Sequence, residues 1–244
     1  MDRRGVLRSA AAAGAGGAAV SWGTGVARAH AQPGSRERTR GRPLRVHIVV
    51  FDGVEELDFA GPLEVFGAAR TVGQRVETKL VTSGGPGGCT GRFGTRVTGA
   101  AAWDPRSADV LVVPGGGFGD RNGPGVWAEI AAGRLTRALR EAARPGLTLL
   151  GVCTGVVVLH AAGVVGGRPC TTHHRAKDHL RAQGADVRDA RVVDDGDLVC
   201  AGGVSSGIDG ALWVLERALG PEPAGRVEAL MEFERRGTVL RTRI

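Results

Sequence analysis

The chain has 244 residues, 42% of them hydrophobic, and a formal net charge of +7. Most of that charge lies in residues 1–42, which hold eight arginines and only two acidic residues. The rest of the chain is nearly neutral and has no basic stripe with interleaved aromatic residues, so we expect no binding to nucleic acid. This length fits one domain with a well-buried core.

The first residues have the features of an export signal. Arg3-Arg4 precedes a weakly hydrophobic Ala/Gly segment, and Ala29-His30-Ala31 forms an A-x-A cleavage site. The apolar segment is too short and too rich in glycine to remain as a membrane anchor. The pattern predicts export by the twin-arginine (Tat) pathway to the periplasm or the medium. The predicted parts are a signal peptide at 1–31, a linker at 32–43 and a folded domain at 44–244.

Beyond the linker, β-branched runs alternate with helical patterns. In chain order they predict a strand at 45–51, a helix at 59–70, a strand at 76–82, a hairpin or bent crossover at 84–99, and a strand at 109–113. They continue with a helix at 126–143, a strand at 147–152, a helix from 156, a helix at 175–182, paired strands at 191–193 and 198–200, and helices at 206–219 and 224–235. This alternation predicts an α/β fold with a mostly parallel sheet, helices on both faces and ligands at the carboxyl ends of the strands.

Cys153 lies where the predicted strand 147–152 turns directly into a helix. A cysteine on such a tight turn meets the free N–H groups of the helix N-terminus, which favour the reactive thiolate. This is the strand-turn-helix context of a nucleophile elbow, with cysteine in place of serine. A free cysteine in an apolar run also fits a small buried core residue, and the segment alone does not separate the two interpretations.

A glycine loop, PGGGFG at 114–119, follows the predicted strand 109–113. Its glycines fit no G-x-G-x-x-G register, so we expect no dinucleotide cofactor. The loop is either a tight turn or a source of bare backbone N–H groups, at Gly116 and Gly117, that form an oxyanion hole. We favour the oxyanion hole because Cys153 ends a neighbouring strand.

Other candidate residues have ordinary alternatives. Asp58 precedes a predicted helix and could serve only as its N-cap. Thr154 could serve only to satisfy an N–H group at a helix end. His173, His174 and His179 lack a carboxylate or cysteine at metal-ligand spacing, and the four cysteines show no zinc spacing, so we expect neither a metal nor any other cofactor.

Four sequence blocks match a known family. They are FDGVEELDFAGPLEVF (51–66), DVLVVPGGGFG (109–119), GVCTGVVVLHAAGVVGGRPCTTHH (151–174) and VVDDGDLVCAGGVSSGIDGALWVLE (192–216). With these blocks, which span nearly all of residues 44–235, the chain resembles the DJ-1/PfpI superfamily. The resemblance implies a flavodoxin-like three-layer sandwich related to class I glutamine amidotransferase domains. LDFAGPLEVF together with GVCTG is similar to the branch containing isonitrile hydratase and the N-terminal domains of AraC-type regulators.

The resemblance also implies roles for individual residues. Cys153 would be the nucleophile, Asp58 the acid/base, and Thr154 a hydrogen-bonding partner of the intermediate or of water. We expect Asp58 to be held neutral by partial burial and by a nearby thiolate. Gly116 and Gly117 would stabilise developing charge. His173 aligns with a histidine that lies near the cysteine in other members.

The expected reaction is hydration of a small-molecule isonitrile to an N-substituted formamide through a thioimidate on the cysteine. One alternative is another cysteine-dependent enzyme of the superfamily, of glyoxalase, deglycase or peptidase type, which would use His173. A second alternative is a non-enzymatic ligand or redox sensor. Because the family commonly dimerises, we also expect a homodimer.

Overall fold

The computed structural model describes residues 41–243. The predicted signal peptide and residues 32–40 of the predicted linker lie outside the described residues. Near the end of that linker, Arg42 forms an ion pair with Asp109 at 2.8 Å. None of the helices between residues 41 and 243 is long and apolar enough to cross a membrane.

The described chain alternates strands and helices. The strands are β1 Leu44–Val49, β2 Val76–Thr82, β3 Gly87–Thr90, β4 Arg96–Ala102, β5 Val110–Val113, β6 Thr148–Val152, β7 Pro169–Cys170, β8 Asp186–Val187, β9 Val192–Asp195, β10 Leu198–Ala201 and β11 Val239–Arg241. The helices are α1 Glu56–Thr71, α2 Val126–Ala132, α3 Arg134–Ala142, α4 Gly155–Ala161, α5 Lys177–Ala182, α6 Ser206–Leu219 and α7 Pro221–Met231, with a 3₁₀ turn at His174–Ala176.

Nine of the strands form one sheet in the order β11-β9-β10-β6-β5-β1-β2-β4-β3. All neighbouring pairs are parallel except β9 with β10 and β3 with β4, which are antiparallel. The register aligns Ile48, Val112, Leu150 and Val199 in one row across the four central strands, and all four side chains are fully buried. Burying each such side chain contributes about 1.5–3 kcal/mol, so this row anchors the core. The predicted mostly parallel α/β sheet is confirmed.

Helices cover both faces of the sheet, as predicted. Successive residues of a strand point to opposite faces. On β6 the side chain of Leu150 lies against Gly210 of α6, whereas a Cβ on Gly151 would lie 2.8 Å from Val156 of α4. Helices α1 and α7 pack with α6, and α2 and α3 pack with α4, which gives three layers.

Three helices differ from the prediction by more than two residues. The helix predicted at 126–143 is two helices, because Gly133 has a φ of 71° and ends α2 in the left-handed conformation. Helix α1 begins at Glu56, three residues early, so that Asp58 lies inside its first turn. The last helix begins and ends earlier than predicted, with Pro221 in its first turn, a position that suits proline.

The sequence patterns missed three short strands. β7 and β8 pair with each other outside the main sheet, and β11 pairs in parallel with β9 at the sheet edge. Each has only two or three residues, which is too short for a visible alternation of polar and apolar side chains. The predicted hairpin is confirmed as β3–β4, and its tip reaches the end of β1, where Gly53 donates to the carbonyl of Thr90 at 2.8 Å.

Candidate active site

The elbow, residues 151–155, holds Cys153 in a strained conformation. Cys153 has a φ of 55°, in the left-handed region that residues other than glycine rarely adopt. Its N–H donates to the carbonyls of Ala201 and Gly202 at 3.0 and 2.8 Å, and its own carbonyl accepts from the Thr172 hydroxyl at 2.7 Å. These bonds fix the conformation that turns the side chain away from the strand, so the predicted cysteine elbow is present.

The surroundings of Cys153 favour the protonated form of its thiol. Burial raises its pKa to about 12, and the charge of Asp58 adds to that effect, whereas the N–H groups of Val204 and Thr154 act in the opposite direction. Only 6% of the residue is exposed. The nearby amides act in the direction expected for a helix N-terminus, but burial shifts the pKa of the thiol the other way and outweighs them.

Asp58 is completely buried and incompletely hydrogen-bonded. Its Oδ2 accepts from the N–H of Gly115 at 2.9 Å, and Oδ1 meets no N–H or O–H donor in the described part of the chain. Burial raises the pKa of Asp58 to about 7, against the Gly115 hydrogen bond; the charge of Glu55 raises it further and the Cys153 thiol lowers it. Burial is thus complete rather than partial, and the second anion is Glu55 rather than a thiolate.

Asp58 is not the N-cap of α1. That position belongs to Glu55, whose side chain makes no capping hydrogen bond, and Asp58 is the third residue of the helix. Its carboxyl points across to the glycine loop instead of back to the helix N-terminus. The N-cap alternative is therefore wrong, and the buried carboxyl interacts with the thiol.

Thr154 joins the elbow to the glycine loop. Its hydroxyl accepts from the N–H of Gly116 at 3.0 Å, and the residue is only 3% exposed. The prediction that Gly116 offers a free oxyanion donor is wrong, because its N–H is already bound. The described hydrogen bonds include none from the N–H of Gly117, which lies beside Pro124, and its predicted role stays a prediction.

The glycines of this loop allow three backbone segments to meet. A Cβ on Gly115 would lie 2.5 Å from the N atom of Thr154, and one on Gly116 would lie 2.6 Å from the N atom of Glu55. No side chain fits in either gap, so both positions require glycine. The loop therefore acts as a tight turn that brings Asp58 and the elbow together.

His173 lies at the rim of the site. A Cβ on Gly203 would lie 2.6 Å from its ring, and its Nδ1 accepts from the N–H of Arg175 at 3.2 Å. Burial lowers its pKa, and the charges of His174, Arg175 and Arg92 lower it further. The charged side chain that acts on the thiol is Asp58, so the structure brings Cys153, Asp58 and Thr154 together and leaves His173 beside them.

Two residues that the sequence patterns missed belong to this site. Val204 has a φ of 40° and directs its N–H to the thiol of Cys153. A β-branched residue in that conformation is a genuine outlier, and nothing in the sequence marks it. The charge of Glu55 raises the pKa of Asp58. The only sign of this in the sequence is that one acidic residue lies three positions before another.

No metal site is evident among residues 41–243, where no three histidine, cysteine or acidic side chains cluster as ligands. His179 packs instead against Phe118 and Trp127, with ring centroids 5.9 and 5.2 Å away. The four cysteines are free and buried. A surface groove of about 420 Å³ lies at the amino ends of β1 and β2, at the opposite edge of the sheet from Cys153.

The model of the DJ-1/PfpI family matches residues 44–217. The chain belongs to the DJ-1/PfpI family. The match includes the elbow, the glycine loop and the first turn of α1, so the three segments that build the site are all family segments. The predicted membership is confirmed.

Several characterised proteins are similar to this family member. The isonitrile hydratase of Pseudomonas putida is 30% identical over 191 residues, 78% of each chain. A deglycase of Thermococcus kodakarensis is 32% identical over 159 residues, 64% of this chain and 88% of the deglycase. A ThiJ/PfpI family protein of Pseudomonas syringae has the same fold, with a TM-score of 0.70 at 24% identity over 86% of this chain and 85% of that one.

Proposed function

We propose that this protein is an isonitrile hydratase, which adds water to an isonitrile and forms an N-substituted formamide. The observation that carries the proposal is the buried pair of Asp58 and Cys153, in which a carboxyl with a pKa raised to about 7 acts on a protonated thiol. Such a pair places a carboxyl that is partly ionised at neutral pH beside the thiol whose proton the reaction uses. The similarity to the P. putida isonitrile hydratase supports the same reaction.

The first step joins the isonitrile to the enzyme. The Asp58 carboxylate takes the thiol proton and delivers it to the terminal carbon, using the lone pair of that carbon. The Cys153 sulfur attacks the same carbon, and the carbon–nitrogen triple bond becomes a double bond. The product is a thioimidate, R–N=CH–S–Cys, which contains every atom of the thiol and the isonitrile.

The N–H groups of Val204 and Thr154 stabilise the charge on sulfur during this step, because both are directed at the thiol. The hydroxyl of Thr154 accepts a hydrogen bond from Gly116 and so keeps its own proton for donation to the substrate nitrogen. The site therefore supplies donors for sulfur and for nitrogen, the two atoms whose charge changes.

The second step releases the product with water. Asp58, again ionised, takes a proton from water as the oxygen attacks the thioimidate carbon, and passes that proton to the nitrogen. The carbon–sulfur bond then breaks while Asp58 takes the remaining hydroxyl proton and returns it to the sulfur, and the formamide R–NH–CHO leaves. The sum is one isonitrile and one water converted to one formamide.

Burial of the site fits a small, neutral, linear reacting group. Cys153 is 6% exposed and Asp58 is not exposed. A buried site disfavours separated charges, so proton transfer within a pair costs less there than ionisation of either group alone. An isonitrile head group carries no net charge and needs both the proton and the nucleophile at one carbon.

The test is incubation of the full chain with a simple alkyl isonitrile, measuring loss of isonitrile and formation of the formamide. We expect turnover by the wild type and by Cys89→Ala, which removes another buried cysteine outside the site. We expect Cys153→Ala to lose at least about a thousandfold in rate.

Absence of turnover in a folded wild type whose Cys153 still reacts with an alkylating probe would overturn the hydratase proposal. The function would then be either another cysteine-dependent reaction of the family or ligand sensing.

A further inference from the structure

Glu55 and Asp58 lie one helical turn apart at the start of α1. Glu55 is the N-cap and Asp58 the third helical residue, a spacing that places side chains on the same face of a helix. In many helices these two positions exchange capping hydrogen bonds. Here both are acidic and no side-chain cap forms, so their charges repel each other.

The peptide groups of the glycine loop connect the two acidic residues. The N–H of Glu55 donates to the carbonyl of Gly115 at 2.8 Å, and the N–H of Gly115 donates to Asp58 Oδ2 at 2.9 Å. One glycine thus takes the place of the missing reciprocal cap. It holds Glu55 and Asp58 at a fixed separation, which makes their repulsion a constant property of the site.

Arg92 offsets the charge of Glu55 from the tip of the β3–β4 hairpin. Its guanidinium lies 3.7 Å from Glu55 Oε2, and the Glu55 side chain is only 12% exposed. The hairpin tip is held by backbone bonds, with the N–H of Arg92 on the carbonyl of Val54 at 2.8 Å. Glu56, the next residue, accepts from the N–H of Phe93 at 2.7 Å and keeps the tip in place.

We propose that Glu55 and Arg92 are positioning residues that jointly set the balance between the protonated and ionised forms of Asp58, Glu55 by favouring the protonated form and Arg92 by opposing the charge of Glu55. This inference rests on the proposed acid/base role of Asp58. It makes the hairpin tip part of the active site, although neither residue reaches the thiol.

Four groups bear on the ionisation of Asp58 and Glu55, and each shifts a pKa in a definite direction. Cys153 faces Asp58 from the elbow and lowers its pKa as a hydrogen-bond donor, while Glu55 faces it from the same helix and raises its pKa. Arg92 faces Glu55 from the hairpin and lowers the pKa of Glu55, while Glu56 raises it. Removing Glu55 must therefore lower the pKa of Asp58. Removing Arg92 takes a positive charge away from the ionised Glu55, so at a pH where Glu55 stays ionised we expect the pKa of Asp58 to rise.

The experiment measures the ionisation of Asp58 directly, by carbon NMR of the full chain labelled with ¹³C at aspartate carboxyl groups. Comparison with Asp58→Asn identifies the Asp58 signal. We expect a wild-type midpoint near the raised pKa of about 7. We expect Glu55→Gln to lower it, and Arg92→Gln to raise it, by about 0.5–1 pH unit each.

Matched controls remove the same charges elsewhere. Glu64→Gln lies on the exposed side of α1, and Arg96→Gln lies on the same hairpin as Arg92, beyond its tip. Both should leave the Asp58 midpoint where it is in the wild type. Since Arg92 is largely exposed, its variant folds even if Glu55→Gln is impaired, and its upward shift tests the inference by itself.

Shifts in the same direction, or no shift in either variant, would overturn the inference. The NMR measurement needs no substrate, so it separates this inference from the proposed reaction. Opposite shifts without isonitrile turnover would support the proton control and reject the hydratase. Isonitrile turnover with an unchanged Asp58 midpoint in both variants would support the hydratase and reject the proton control by Glu55 and Arg92.

Discussion

Two regions with deeply buried aspartates treat these side chains in opposite ways. At the elbow, Asp58 accepts from one backbone N–H group and lies beside the Cys153 thiol, and its Oδ1 meets no N–H or O–H donor among the described residues. At the far side of the sheet, at the end of β9, Asp194 and Asp195 are each bound by several donors.

The second region satisfies its carboxylates almost completely. Asp194 accepts from Gly196, Trp213 and Arg217 at 2.8–2.9 Å. Asp195 accepts from Arg168 at 2.6 Å and from Thr242 at 2.7 Å. Burial alone would raise the pKa of Asp195, but these partners outweigh it and lower the pKa.

Both kinds of carboxylate are buried, so burial does not distinguish them. The hydrogen-bond donors around each one distinguish the structural carboxylates from the reactive carboxyl. A carboxylate with charged and hydroxyl donors stays ionised and joins the β9–β10 turn to β11 and α6. A carboxyl with one weak donor stays close to half-protonated at neutral pH and can transfer a proton. The predictions below test this difference, from the largest expected effect to the smallest.

The largest effect is expected for Asp58→Asn on turnover. Asparagine keeps the size and an acceptor for Gly115 but cannot carry the proton between sulfur and carbon. We expect isonitrile hydration to fall about a hundredfold to ten-thousandfold, measured as kcat/KM at pH 7. Asp178→Asn, on the exposed side of α5, is the control and should match the wild type. Equal turnover in Asp58→Asn would remove Asp58 from the mechanism.

Asp195→Ala should reduce stability and leave turnover unchanged, which is the opposite of the result expected for Asp58→Asn. It removes the carboxylate that accepts from Arg168 and from the Thr242 hydroxyl, although Arg168 keeps its ion pair with Asp197, so we expect the free energy of unfolding to fall by about 2–4 kcal/mol. Turnover of the remaining folded protein should be unchanged. Urea unfolding with parallel kinetics checks both points, and a loss of kcat without a loss of stability would contradict the structural assignment.

Stability should also depend on pH through Asp58. Its pKa is raised from 3.8 to about 7 on folding, so the unfolded chain ionises first as the pH rises. The contribution of Asp58 to stability is therefore full below pH 4 and is lost between about pH 4 and 7, by up to about 4 kcal/mol. We expect the free energy of unfolding of Asp58→Asn, relative to the wild type, to rise across this window in urea titrations at each pH. Parallel pH curves for the two proteins would show that Asp58 ionises normally.

The smallest effect is expected for Thr154→Val. Valine has the same shape but cannot accept from Gly116, whose buried N–H would lose its partner. We expect a loss of about 1–3 kcal/mol in stability, measured by urea unfolding. Turnover should fall less than in Asp58→Asn. If stability were unchanged, the elbow and the glycine loop would not depend on this bond.

Much of the fold could be predicted from the sequence. The alternation of β-branched and amphipathic segments predicts the central strands, and the apolar strand before Cys153 predicts the elbow. The break at Gly133 was missed because the apolar pattern continues across it in α2 and α3, and only the left-handed φ of that glycine separates the helices. The strand β11 was missed because three residues carry no periodicity.

The site was only partly predictable, for a physical reason. Local patterns suggest what Cys153 meets at a helix N-terminus, but they do not show how deeply the tertiary fold buries it. Burial decides the protonation of both Cys153 and Asp58. The bonds that bind Gly116 and the contact from Val204 join segments distant in sequence, so no local signal marks them.

The measurement that tests the central claim most directly is intact-protein mass spectrometry during turnover of an alkyl isonitrile, with rapid quenching and mapping of the modified peptide. The account predicts an added mass equal to one whole isonitrile on Cys153, since the thioimidate keeps every atom of both reactants. Asp58→Asn should form this adduct more slowly. Steady formation of formamide with no adduct on Cys153, and with equal turnover in Cys153→Ala, would contradict the account.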